Sequence, residues 1–252
     1  MPVVTTLHTP PFPWMEIGAW LAGCSGNFVA VSAAMQQMWS TLADAQVIRN
    51  GVDPRRFPPS AGGEALCRVG RFTREKGADI AVGAALAAGR PLRLAGPISD
   101  PAWFERVIRP YLGDAVSYLG ALSGVELADL YGTSAATLVT PRWEEPFCLV
   151  AAESQMCGTP VVGLRRGGLP EVVDDDVGRL VDPGHGAVQR LSAALADVVG
   201  FEREAVGAQA RATLSLDLML DGYEQLLMTL GCADTGAGPR SDADAMFSSV
   251  AS

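Results

Sequence analysis

The chain is short of cysteine, histidine, basic residues and long apolar runs, and each shortage closes off a class of protein. Its five cysteines, Cys24, Cys67, Cys148, Cys157 and Cys232, are scattered and form no C-x-x-C pair. An odd, dispersed set in 252 residues is not a disulfide scaffold; it reads as reduced thiols in a cytoplasmic protein. With only two histidines, His8 and His185, no zinc-ligand spacing exists. The apolar stretch at 17–24, IGAWLAGC, falls short of the ~18 residues a membrane span needs, so membrane association is expected to be peripheral at most. The opening MPVVTTLHTPPFP has no basic segment and is broken by prolines, unlike a signal peptide. Nineteen Lys and Arg stand against 28 Asp and Glu, a net charge of −9. Such a chain is repelled by phosphate backbones, which argues against nucleic acid as a partner and leaves room for one local basic pocket.

What is present is ordinary globular material, 48% hydrophobic and 19% charged, with 28 glycines and 17 prolines in no fixed period. From residue 66 onward, short apolar runs occur at Leu66–Val69, Leu92–Ala95, Val116–Leu119, Ala136–Val139, Pro160–Gly163 and Arg179–Val181. Stretches of helical length lie between most of them, among them Lys76–Ala88, Pro101–Leu112 and Phe147–Cys157. Strands alternating with helices predict βαβ units, a mostly parallel sheet and a doubly wound α/β domain.

Residues 1–51 read differently. Val3–Leu7, Phe28–Ser32 and Ala45–Arg49 are strand-like, Ser32 can cap a helix over AAMQQMW, and Asn50-Gly51 suggests a tight turn. Parallel strands need neighbours on both sides, so this segment is expected to be part of a domain whose first half is not in the sequence. The expected division is a partial first domain at 1–51, a complete domain at 52–213 joined through a linker at 52–64, a helix at 214–230, and a disordered tail at 231–252.

Three segments fall where parallel sheets bind ligands, at strand carboxyl ends and helix N-termini. RVGRFTREKG places Gly70 and Arg71 after a strand and Lys76 at the start of a helix. Two cations there suit a diphosphate, although solvated surface charges are the plainer alternative. In WEEPFCLVAAESQMCGTPVV, Pro146 suits a first helical turn, with Glu145 at the helix mouth and Glu153 eight residues on. Eight helical residues rise about 12 Å, the order of the span from a sugar to a ribose across a diphosphate. In RRGGLPEVV, Gly167-Gly168 permits close backbone approach ahead of a short helix, or is a simple strand-to-helix turn.

Taken in order, NGVD (50–53), GR-x4-KG (70–77), EPF-x5-E (145–153), CGTPVV (157–162) and GGLPEVV (167–173) closely resemble the retaining family 4 glycosyltransferases of GT-B architecture, over about residues 3–230. The resemblance implies one complete Rossmann-like doubly wound C-terminal domain and a partial N-terminal Rossmann-like domain, the helix at 214–230 crossing back between them. It implies that Arg71 and Lys76 hold the donor diphosphate and its departing charge. It gives Glu145 the donor-sugar hydroxyls and Glu153 the ribose hydroxyls. Gly70, Phe147, Cys148, Leu149, Gly167 and Gly168 would border the donor, and His8 would face the cleft near donor sugar and acceptor. The chemistry implied is transfer of a sugar from a nucleotide-diphosphate sugar to an acceptor hydroxyl, with retention. The donor is a substrate and no cofactor or metal is expected.

Some features depart from the pattern. Cys148 stands where that family commonly has Gly. Asp174-Asp175-Asp176 matches a metal-binding D-x-D formally but reads as a solvated acidic loop, as do Asp242 and Asp244 in the tail. By comparison with that family, the first half of the acceptor-side domain is expected to lie outside this sequence, and the acceptor is expected to be a sugar or a lipid-linked molecule. Alternative readings are a non-catalytic donor-binding module served by a partner chain, and a fragment without function alone. A nucleotide-sugar epimerase fits the EPF-x5-E arrangement less well.

Overall fold

The computed structural model describes residues 3–21 and 26–235. They form two wholly parallel sheets. The first has three strands, β1 (Val4–Leu7), β2 (Asn27–Ala30) and β3 (Ala45–Val47), in that order, with α1 (Pro13–Leu21) and α2 (Ala33–Trp39) as connections. Ser32 caps α2 as expected, its Oγ accepting from the Met35 N–H at 3.0 Å.

The second sheet holds β4 (Leu66–Val69), β5 (Leu92–Ala95), β6 (Val116–Tyr118), β7 (Thr137–Val139), β8 (Val161–Leu164) and β9 (Gly178–Val181). Its order is β6-β5-β4-β7-β8-β9. The connections carry α3 (Ala78–Ala87), α4 (Pro101–Val107), α5 (Gly124–Gly132), α6 (Leu149–Met156) and α7 (Leu169–Val172). After β9 come α8 (Ala187–Asp197), α9 (Arg203–Thr213) and α10 (Leu216–Thr235). All six sequence-read strands are present, so the expected α/β, GT-B-type architecture stands. Residues alternate between two cores because strand side chains have period two. Leu66, Leu94, Leu138 and Val162 join one core with α3, α4 and α8. Cys67, Ala95, Val139 and Val161 join the other with α5, α6 and α9, and that core runs on into Leu7, Ala30, Met35 and Trp39 of the first unit.

Several expected boundaries move, each for a local reason. The helix expected over Lys76–Ala88 is split: a 3-10 turn spans Arg74–Lys76, Gly77 takes φ +61°, and α3 begins at Ala78. The helix expected from Phe147 begins at Leu149, because Cys148 is left-handed at φ +81°. Asn50-Gly51 makes no tight turn; Val52 pairs with Ser215 instead, and a Cβ on Gly51 would sit 2.6 Å from Leu216 Cα. The final helix continues to Thr235, past the expected end at 230, since Gly231 alone costs only about 1 kcal/mol. Residues 236–252, with Asp242 and Asp244, lie outside the described residues.

The two units are tied at several places. The Val52 N–H donates to Leu214 O at 2.8 Å and the Leu216 N–H to Val52 O at 2.9 Å. From α10, Tyr223 hydroxyl meets Thr6 Oγ1 at 2.8 Å, so this helix crosses back to β1. From α7, Glu171 accepts from the Ala33 N–H at 2.9 Å and the Ala34 N–H at 2.8 Å, with Arg49 3.7 Å away. A carboxylate here satisfies two orphan donors at the α2 N-terminus. Removing it acts like the loss of a helix cap. Glu171→Ala is therefore expected to lower unfolding stability by about 1–2 kcal/mol in urea denaturation. An unchanged midpoint would mean that the contact contributes nothing.

Candidate functional site

The order of the larger sheet reverses between β4 and β7, which leaves a crevice at their carboxyl ends where open α/β sheets bind ligands. Two loops border it. The first follows β4. Gly70 takes φ +136°, a conformation that side chains disfavour. Behind it Arg68, 3% exposed, donates to Gly70 O at 2.6 Å, Arg71 O at 3.1 Å and Lys76 O at 3.2 Å. The loop ends in the Arg74–Lys76 turn, and a Cβ on Gly77 would overlap the Thr140 carbonyl of the second loop. Lys76 therefore sits one residue outside the helix and beside that second loop.

The second loop follows β7. Lys76 Nζ lies 2.7 Å and 2.9 Å from the two carboxylate oxygens of Glu145. Trp143 Nε1 donates to Glu145 Oε2 at 2.6 Å, and Lys76 Nζ stands 4.7 Å over the Trp143 ring. At Gly167 and Gly168 it is the chain's own backbone that comes close. A Cβ at Gly167 would overlap Glu145, and one at Gly168 would lie 2.5 Å from Pro146 O. The Gly168 N–H donates to Glu145 O at 2.7 Å, and Ser32 Oγ donates to Pro146 O at 2.6 Å. The segment bearing Glu145 is thus clasped by both units.

Glu145 does not lie at the mouth of a continuous helix, so the 12 Å helical spacing to Glu153 does not apply. Pro146 and Phe147 precede α6, and Phe147 is buried at 2% exposure. Cys148, the sole non-glycine residue with positive φ among those described, turns the chain into α6. Burial pushes its thiol up to about 12. Leu149, half exposed, opens α6, whose first N–H groups have no intrahelical partner. Glu153 lies within α6, where Tyr131 hydroxyl donates to its Oε2 at 3.0 Å. Burial raises the Glu153 carboxyl above its ordinary value, opposed by the Tyr131 hydrogen bond and by Arg56.

Gly70, Lys76, Glu145 and Cys148 line one cavity together with Arg68, Thr140 and Val150. Arg71 is exposed next to it. His8 is exposed immediately after β1; Leu7 registers with Ala30, so His8 shares its sheet edge with the Ser32 that holds Pro146. His185 is a loop residue whose carbonyl accepts from Arg190. Asp174 is occupied within its own loop, accepting from the Asp176 N–H at 2.9 Å and from Gln209 at 2.6 Å. Sequence reasoning missed Arg68 and Trp143. Trp143 carried a visible signal, two residues before Glu145. Arg68 carried none, since one Arg in a strand is ordinarily a surface residue.

The sequence pattern of the glycosyl transferases group 1 family fits residues 53–212. Glycogen synthase of Mycobacterium tuberculosis (strain CDC 1551 / Oshkosh) is 32% identical over 255 residues, covering 86% of this chain and 60% of that protein. D-inositol 3-phosphate glycosyltransferase of Salinispora arenicola (strain CNS-205) is 30% identical over 241 residues, covering 78% of this chain and 51% of that protein. The chain thus spans about half to three-fifths of the length of these relatives. The crystal structure of AviGT4, a glycosyltransferase involved in avilamycin A biosynthesis, matches at TM-score 0.70 and 30% identity, over 83% of this chain and 64% of that one. Anabaena Alr3699/HepE in complex with UDP-glucose shares the fold, at TM-score 0.77 and 22% identity, over 92% of this chain and 72% of that one. With its two parallel units, its crevice between β4 and β7 and a family pattern over most of its length, the chain belongs to the glycosyl transferases group 1 family.

Proposed function

We propose that the chain binds a nucleotide-diphosphate sugar in the crevice between β4 and β7 and moves its sugar to an acceptor hydroxyl with retention, without a metal ion. The observation that carries this reading is the Lys76–Glu145 pair at the crevice mouth. A lysine ammonium has three N–H donors, and Glu145 engages two, so one is left for a phosphate oxygen. The Glu145 oxygens keep lone pairs for sugar hydroxyls. As the bond from the anomeric carbon to the diphosphate oxygen breaks, its electron pair passes to the diphosphate. Lys76, Arg71 and the α6 N-terminus meet that growing charge as fixed positive groups. The acceptor oxygen then bonds to the anomeric carbon on the face the diphosphate leaves, while its proton passes to the departing diphosphate oxygen on that same face. Glu153, held by Tyr131, is the acceptor group for the ribose hydroxyls. UDP-glucose in the HepE complex supports this donor class.

A second reading is supported by the first unit's surface. Strand β1 is at a sheet edge, and α1 exposes Trp14, Ile17, Trp20 and Leu21. These features suit a donor-binding half that works with a partner polypeptide. No helix among the described residues is long and apolar enough to cross a membrane.

Calorimetric titration of the 252-residue chain with UDP, GDP and ADP is expected to show micromolar binding of one of them. Replacing Arg71 and Lys76 together by Ala should weaken it by about 10–100-fold, the scale of charge-assisted hydrogen bonds. Absence of binding by the folded wild type sinks the donor reading. Binding without transfer to any tested sugar or polyol favours the second reading. Transfer, where observed, is expected to survive excess chelator; its loss would overturn metal independence. The ionised Glu153 carboxylate accepts from ribose more strongly than its neutral form, so affinity should fall as pH drops through its raised value, above the ordinary 4.5. The loss should vanish in Glu153→Gln, and an identical pH profile in that variant would remove Glu153 from the ribose site.

A further inference from the structure

Arg68 is a buried cation without an ion-pair partner. It is 3% exposed, and no carboxylate among the described residues lies within salt-bridge distance of it. Burying a charge is costly unless it is paired or hydrogen-bonded. The two carboxylates whose fields favour its charge, Glu145 and Asp79, are both matched by other cations. Glu145 holds Lys76 at 2.7 Å, and Asp79 holds Arg142. Among Arg68, Lys76, Arg142, Glu145 and Asp79, one positive charge is therefore left unbalanced. Desolvation lowers the Arg68 guanidinium to about 10, so it stays charged at neutral pH.

The guanidinium is held by carbonyls and an aromatic face. It bonds Gly70 O, Arg71 O and Lys76 O and stands 4.9 Å over the Phe72 ring. Those carbonyls come from the segment that presents the two cations of the crevice, and Arg68 itself lines the cavity with Gly70, Lys76 and Glu145. The planar, forked guanidinium spreads these three bonds over two nitrogens, whereas an ammonium is a compact point charge.

We infer that Arg68 is a positioning residue for the donor diphosphate: it fixes the Gly70–Lys76 loop and supplies a buried positive charge that the incoming diphosphate balances. This rests on the donor reading above, deepening it from Arg71 and Lys76 to the buried cation of the same segment. It also accounts for an unpaired buried charge that packing alone does not explain.

The test compares wild type, Arg68→Met and Arg68→Lys for affinity toward the nucleoside diphosphate that wild type binds and toward the matching nucleoside. Calorimetry gives the diphosphate affinity and ligand-observed NMR the nucleoside affinity. Arg68→Met is expected to lose about 10–100-fold in diphosphate affinity, with nucleoside affinity unchanged within about twofold. Arg68→Lys keeps the charge but not the fork and should lose about tenfold. Unchanged diphosphate affinity in either variant overturns the inference. Equal loss for diphosphate and nucleoside overturns it too, because a merely structural role would move both. If Arg68→Met does not fold, Arg68→Lys decides alone. Failure of wild type to bind any nucleoside diphosphate is a separate outcome that overturns the donor reading and this inference with it.

Discussion

The Lys76–Glu145 ion pair is the contact around which the crevice is organised. It joins the loops that leave β4 and β7, the neighbouring strands at which the sheet order reverses. With side chains 20% and 12% exposed, the two groups are largely out of water, where desolvation offsets much of their attraction. Such a pair is poor evidence for stability and better evidence that both groups are wanted in one place. The surrounding features follow from that requirement. Gly77 admits Thr140, Gly167 admits the Glu145 backbone, and Trp143 both donates to the carboxylate and covers the ammonium. A larger residue at Gly77 would push the two loops apart, and one at Gly167, in the turn after β8, would displace the segment that carries Glu145.

The same constraint explains how the first unit meets the second. Ser32 performs two tasks with one hydroxyl: it accepts from Met35 to cap α2, and it donates to the carbonyl of Pro146, next to Glu145. Glu171 reaches the opposite way, from α7 to the first amides of α2. The glycine pair before α7 contacts the Glu145 segment, so α7, that segment and α2 form one packed junction. Any displacement of the first unit is thus felt one residue from the carboxylate. His8 follows Leu7 at the carboxyl end of β1, the same end of that sheet as Ser32.

The strands were legible because buried parallel strands are short runs of apolar residues between turn signals, and the chain has little else that looks like them. Lys76 and Glu145, which the structure brings together, were legible through their motifs. The local path after Glu145 was not. A proline favours the first turn of a helix, and this made Pro146 look like the start of α6. The left-handed Cys148 overrides that preference, and nothing in a cysteine announces positive φ. Helix α5 escaped notice although Ser123 and Glu126 form a capping box, because its apolar face is short. Arg68 was invisible for a different reason. Its meaning lies in three carbonyls brought to it by the fold, and no spacing in the sequence encodes those.

Cys148 and Arg68 bear on the same physical question from opposite sides. A non-glycine residue in the left-handed region costs roughly 1–2 kcal/mol, and such strain persists only where surrounding structure imposes it. What that conformation achieves here is a sharp entry into α6. The helix begins beyond the Glu145 segment, with no acidic residue in its first turn to neutralise its dipole. The cavity lined by Cys148 is therefore bordered by a helix N-terminus, by Lys76 and by Arg68, against the single carboxylate of Glu145. In an acidic protein of net charge −9, this is a local reversal of sign. Long-range repulsion of the chain for polyanions and local attraction for one small, multiply charged anion then coexist. The first is an average over the surface, screened within about 10 Å at 0.1 M salt, whereas the second acts at contact distance in a partly dry crevice. That difference in range is what would let an acidic surface carry the proposed diphosphate site.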